Sequence, residues 1–168
     1  MDRQALGQAV DRQMPALRAI AAALAASVVA HAVVGWVVID IWIREPIVPL
    51  TTPIAGAAAF SGLFLILLGY LIGRSIRESE PPPAAGGPTG DDAGRVWVAT
   101  LLQRYTRSVV VATALREAAS TVGLVLSLLT ADPTWVLLLA GAALLSMLIH
   151  WPRRAGVEDW LLRQRIAA

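Results

Sequence analysis

The chain alternates apolar runs of bilayer length with short arginine-bearing segments, a pattern that predicts helices crossing a membrane. Residues 19–39 run for twenty-one positions without a charge, enough for roughly 30 Å of hydrocarbon. Residues 53–73, 108–130 and 134–150 supply three more runs. The last is short at seventeen residues, and Trp135 and Trp151 bracket it as interfacial anchors that cover a small mismatch. Thr52 before Pro53 and Asp132 before Pro133 each read as a cap followed by a first-turn proline. The expected architecture is an all-α integral membrane four-helix bundle of two helical hairpins, residues 19–73 and 108–150.

The segments between the runs have their own patterns. In residues 1–18, Leu6, Val10 and Met14 recur at four-residue spacing among Arg3, Arg12 and Arg18, which predicts an amphipathic arm lying on the membrane surface. Pro15 suits the first turn of the helix that follows. An Arg-bearing start leading to Ala30-His31-Ala32 also fits a cleaved secretory signal, but the apolar run continues through VVGWVVI and favours an uncleaved span. Residues 40–52 read as a loop on the far side, with Trp42 in the interfacial belt. Residues 74–94 return the chain to the basic side and pass into SEPPPAAGGPTGDDAG, with four of the ten prolines and four of the thirteen glycines, the composition of a flexible linker. Residues 95–107 form an interfacial lead-in continuous with the third span, with Trp97 and Tyr105 at headgroup level. Residues 151–168 place Val157, Trp160, Leu161 and Ile166 among four arginines, a second surface-bound helix.

Composition supports the membrane reading: 57% of the 168 residues are hydrophobic and 15% are charged, far from a soluble domain. The net charge of +2 hides a segregation of arginines into the short segments, so no basic face suited to nucleic acid results. The absence of cysteine excludes disulfides, thiolate metal sites and thiol nucleophiles. All fourteen basic residues are Arg, and with four spans twelve of them fall on one side, leaving Arg44 opposite and Arg116 inside. By the positive-inside rule both termini are expected in the cytoplasm, and the membrane is expected to be a bacterial inner membrane. A three-span alternative, with residues 118–150 as one kinked helix, would put the four-Arg tail outside.

The candidate chemistry is the pair Arg116 and Glu117 near the middle of the third run. A charge at a helix centre costs about 2.5 to 3.5 kcal/mol on an insertion scale, so this span is expected to insert together with the fourth. Thr113, Glu117, Ser120 and Ser127 share one helical face and Arg116, Ser120 and Gly123 a neighbouring row, so a polar, small face should meet the first two spans. Adjacent residues point about 100° apart, so Arg116 and Glu117 each need a separate partner. His31 lies within about one helical turn of the depth of Glu117, which makes a His31 to Glu117 contact one candidate. Arg116 can instead reach helix carbonyls, Asp40 or a lipid phosphate. The five residues Glu117, Arg116, His31, Ser120 and Thr113 therefore form either a structural polar site that fixes helix register or a proton or ion site.

Glu117, followed six residues later by GLVLSLLT, resembles the ion-carrying helix of the proteolipid c subunits of rotary ATPases, a resemblance that implies Glu117 as the ion carboxylate. The chain departs from that family in Arg116 beside the carboxylate, in the missing Gly-x-Gly repeat, in the long Pro/Gly linker and in a further span. In overall plan it is similar to uncharacterised small four-helix bacterial inner-membrane proteins with an ALxEA…GLVLxLLT third helix and a Pro-Arg exit, a likeness that implies no activity.

No Ser/His/Asp set, interfacial carboxylate pair, metal-ligand cluster or phosphate-binding glycine loop is present in the sequence, so neither an enzyme nor a cofactor or metal is expected. The partners expected are the lipid bilayer and either further copies of the chain or a larger membrane complex. The ridge Ala22, Ala26 and Ala30 and the Gly69-xxx-Gly73 pair suit such close helix packing. Two functions remain: a structural or accessory membrane component, or a proton- or ion-coupled transport element centred on Glu117.

Overall fold

The long apolar runs hold almost no internal helix breakers, and their helices extend well past them. A computed structural model describes residues 3–43, 45–47, 53–79 and 91–167, and five helices account for nearly all of them: α1 (Arg3–Trp42), α2 (Pro53–Glu78), α3 (Asp91–Thr130), α4 (Thr134–Ile149) and α5 (Arg154–Ala167). Helices α1, α2 and α3 are each long and apolar enough to cross a membrane. At 16 residues α4 is only about 24 Å long, and it meets α5 at a bend of 62°. The expected linker falls mostly on residues 80–90, and the expected far-side loop and Thr52 cap mostly on 44 and 48–52; these lie outside the described residues.

Helices α1 and α3 have 40 residues each, about 60 Å, or twice a hydrocarbon core. They run parallel, side by side. Gln13 Nε2 donates to Thr106 Oγ1 at 3.4 Å, Ser27 Oγ to Glu117 Oε1 at 2.9 Å, and His31 Nδ1 lies 2.8 Å from Ser120 Oγ, so the register is held over eighteen residues of α1. The expected surface arm is thus no separate helix. Pro15 lies inside α1 and removes one backbone bond, to the carbonyl of Asp11. Its own face is exposed while Met14 and Leu17 on either side are buried, so the helix is pinned across the defect and the freed carbonyl can bond to water.

The amphipathic stripes bury one another. Leu6, Val10, Met14 and Leu17 of α1 meet Val98, Leu101 and Leu102 of α3 and Val157 and Leu161 of α5 in one cluster. Trp97, Tyr105 and Trp160 pack at its edge. The arm and tail, expected to lie on the membrane surface, thus join α3 in a small helical head in which the stripes bury one another. Arg154 of α5 bonds to Asp11 of α1 at 3.2 Å across its outside.

Beyond the head, α3 is the central helix. Of its most apolar stretch 44% is buried, against 17% for those of α1 and α2. Helices α1, α2 and α4 all pack on it, whereas α1 and α2 make no close backbone approach to each other; Val28 of α1 and Ile66 of α2 instead share a cluster built on Ala140, Ala143 and Met147 of α4. Helix α2 runs antiparallel to α3, with Gly69 and Gly73 against Ala112; a Cβ at Gly69 would stand 2.9 Å from the Ala112 carbonyl oxygen. The Gly-xxx-Gly pair thus serves contact within the chain. Helix α4 closes the group: Gly123 of α3 meets Trp135 and Leu139, Gly35 of α1 meets Val136, and Gly62 of α2 meets Leu139.

The α3–α4 turn explains itself. Ala131 takes a left-handed φ of 52°, ending α3, and the Asp132 N–H returns to the Ser127 carbonyl. Pro133, expected as the first helical residue, is the N-cap of α4; Asp132, expected as the cap, stands one residue before it and its Oδ1 accepts the Thr134 N–H, while Ser127 Oγ accepts the Val136 N–H at 2.7 Å. The apolar belt lies outside the bundle, with Val33, Trp36, Phe60, Leu63, Leu138 and Leu145 all at least half exposed. Ala22, Ala26 and Ala30 are exposed with it.

The head gives a direct prediction. Leu101→Ala removes a fully buried side chain from its centre and should cost about 2–5 kcal/mol, read in detergent as faster trypsin cleavage at the arginines of α1, α3 and α5. A protein whose arm and tail needed a lipid surface to order would show no change in detergent.

Candidate functional site

The polar residues of α3 divide between two faces. Toward α1, Glu117 Oε1 accepts from Ser27, and Ser120 Oγ lies 2.8 Å from both His31 Nδ1 and the Glu117 backbone carbonyl. Ser27 and His31 are one turn apart on α1, as Glu117 and Ser120 are, nearly, on α3; the two pairs stack as rungs between parallel helices. The Ser120 hydroxyl has one proton, so if it donates to the Glu117 carbonyl it accepts from His31, which assigns the proton to Nδ1. His31 thus reaches Ser120, one rung from Glu117. The direct His31 to Glu117 contact is replaced by this ladder because the rise of the two helices sets equal depth for Ser27 and Glu117 instead.

Toward α2 and α4, the buried Arg116 is 4% exposed and its Nε has no hydrogen-bond partner among the described residues. It lines a pocket of about 20 Å³, room for one water, with Tyr70, Gly73, Arg77, Thr113 and His150. Thr113 is buried there too, its hydroxyl donating to the Val109 carbonyl of its own helix. His150 Nδ1 lies 2.8 Å from the Ser146 carbonyl and therefore carries the proton of that bond, and its ring tilts against Tyr70 at a centroid distance of 5.5 Å.

The five expected residues divide between two contacts: Glu117, His31 and Ser120 meet between α1 and α3, while Arg116 and Thr113 line the pocket against α2. Arg116 stands near the end of α4 rather than beside its middle. Arg116 and His150 share a pocket, and His150 directly follows the last residue of α4, so the guanidinium stands level with the end of α4. Counted from residues 19 and 73, Ser27 and Gly69 lie only about 12 and 6 Å along their helices.

Sequence reading missed Ser27, Tyr70 and Arg77. For Ser27 a signal existed, since it is the one hydroxyl a turn from His31 in the apolar run of α1. Tyr70 and Arg77 flank Gly73 at positions that pattern alone assigns to an interface.

On the head side, Tyr105 packs against Trp160, and burial pushes its hydroxyl up from the ordinary tyrosine range against the opposing pull of Arg77. Among the described residues no group of three or more His, Asp or Glu side chains is placed to hold a metal ion. The chain matches no family model, no curated protein and no solved structure.

The ladder makes a quantitative expectation. In a double-mutant cycle of Ser27→Ala and Glu117→Gln, the coupling should be about 0.6 to 1.7 kcal/mol by reversible unfolding in detergent micelles. Additive effects would mean that the rung does not hold α1 to α3.

Proposed function

We propose that this chain is a four-span inner-membrane protein with both termini in the cytoplasm, acting as a structural or accessory component rather than an enzyme. The observation that carries this reading is the use of the polar groups. Glu117, Ser120, Ser27 and His31 are spent on bonds between α1 and α3, and Ser127 on the start of α4. They fasten helices together. The alternation of direction supports four spans: α1 and α3 run one way and α2 and α4 the other, so that the arginines of the head, of the end of α2 and of α5 share one side. Although α4 is short, its residues are the most apolar of the five helices, and anchors at Trp135 and Trp151 suit a thinned or locally matched bilayer. The exposed ridge Ala22, Ala26 and Ala30 leaves room for a helix of a second copy or of a larger complex.

A second reading draws on one further observation: Glu117 and His31 are only partly buried and stand one rung apart. A proton- or ion-coupled element could use that pair, in keeping with the resemblance of residues 117–129 to the proteolipid helix.

The two readings separate on one substitution. Glu117→Gln in proteoliposomes should leave ion flux at the wild-type level while lowering the yield of assembled protein; lost flux with intact assembly would establish the transport reading instead. Topology is tested apart from activity. The natural chain has no cysteine, so a single cysteine introduced at either terminus should react with an impermeant maleimide from the cytoplasmic side only. Labelling of the two termini from opposite sides would reject four spans.

A further inference from the structure

The Arg116 pocket opens toward a second feature. Arg77 and His150 line it, and both also line a cleft of about 360 Å³ at the elbow between α4 and α5. That cleft adds Arg153, Arg163, Trp151 and Trp160. Arg163 Nε donates to the Asp159 carbonyl at 3.3 Å, and no carboxylate lines the cleft or the pocket among the described residues. Four arginines from three helices, α2, α3 and α5, and the segment between α4 and α5 therefore converge without an acidic partner. One of them, Arg116, is almost wholly removed from solvent with an unpartnered Nε. A buried guanidinium without an anion is costly, and its neighbour Glu117 points about 100° away around α3 and is already bonded to Ser27.

We propose that the cleft is a specific site for the phosphate of an anionic phospholipid, with Arg77, Arg153 and Arg163 lining it and Arg116 behind them, reaching the phosphate through the one water that its pocket can hold. The inference rests on the reading that the bundle spans the membrane. Two features select a lipid over a free phosphate. The cleft lies beside the interfacial Trp151 and Trp160 at the basic end of the bundle, where headgroups stand. Its floor continues onto Ile149 and the adjoining Leu148, more than 60% exposed on the outer face of α4, which offers an apolar track for an acyl chain. Guanidinium groups suit this ligand because they stay charged and can bond two phosphate oxygens at once. The glycines at 69 and 73 keep α2 close to α3, and Gly73 lies in the pocket wall.

The test is native mass spectrometry of the full chain released from vesicles of equal phosphatidylglycerol and phosphatidylcholine. The wild type should carry one phosphatidylglycerol in clear preference to phosphatidylcholine. Arg116→Leu and Arg77→Gln should each lower that occupancy at least about tenfold, the scale of one lost charge-assisted bond. Arg95→Gln, an exposed arginine of the head removed from the site, should leave it unchanged. Equal losses from all three variants would reduce the effect to general surface attraction and overturn the proposal, as would full occupancy in both Arg116→Leu and Arg77→Gln. The Arg77 variant covers the case in which Arg116→Leu fails to fold. Excess inorganic phosphate should not displace the lipid; displacement, with phosphate retained in its place, would show that the site takes a free anion and would overturn the lipid assignment. Extraction of the wild type from vesicles by alkaline carbonate would reject the membrane-spanning reading itself, separately from any lipid preference.

Discussion

A helix that carries an arginine and a glutamate in adjacent positions cannot be turned so that a single neighbour satisfies both. Their directions differ by about 100°, so α3 needs partners on two sides, and it must be surrounded rather than packed at an edge. This constraint orders the rest of the structure. Helix α1 takes the Glu117 side, with hydroxyl and imidazole groups at matching depth. Helices α2 and α4 take the Arg116 side, with Gly69, Gly73 and the His150 end. Separation of α1 from α2 follows directly, although the two are consecutive in the chain.

Close approach is the second condition, because cross-helix bonds of 2.8 to 2.9 Å demand backbones that nearly touch. Small residues supply it at each interface. Gly69 and Gly73 admit the Ala112 turn, Gly123 admits α4, and Gly35 admits Val136. Lipid provides little hydrophobic drive between helices, so dispersion at these short distances and the bonds across them carry the association. Bulky apolar residues are left facing outward for the same reason, since lipid is as good an apolar neighbour for Phe60 or Leu138 as another helix would be.

What could be read from the sequence was what depends on local spacing. The long apolar helices, the Asp132-Pro133 turn and the continuity of the lead-in with α3 all follow from residues within a few turns of each other. The packing of the head was not legible because each of its stripes, taken alone, has the pattern of a helix on a lipid surface. The four-residue spacing of Leu6, Val10 and Met14 in α1 does not say whether its apolar partner is an acyl chain or Leu101, some ninety residues away. The neighbours of Arg116 were hidden for a related reason. Arg116 is central in its own apolar run, but what stands beside it is set by where α4 ends, and a short fourth helix ends early.

The continuity of α1 and α3 ties the head to the bundle more firmly than a loop connection would. Two parallel helices pass through both layers, and they are joined below by Gln13 with Thr106 and above by the rungs at Ser27 and His31. Turning the head against the bundle would have to shear those contacts together or break one helix. Pro15 marks the place where a backbone bond is already missing, but the flanking Met14 and Leu17 are buried against the head, so the weakness lies inside a packed stretch. Helix α5 lacks such continuity. It reaches the head through a bend of 62° after α4 and is held there by Val157, Leu161 and the Arg154 to Asp11 pair. Because the arginine-rich cleft is formed where α4, the bend and α5 meet α2 and α3, an anion bound in it would join the one peripheral helix to the two layers that α1 and α3 already fasten together.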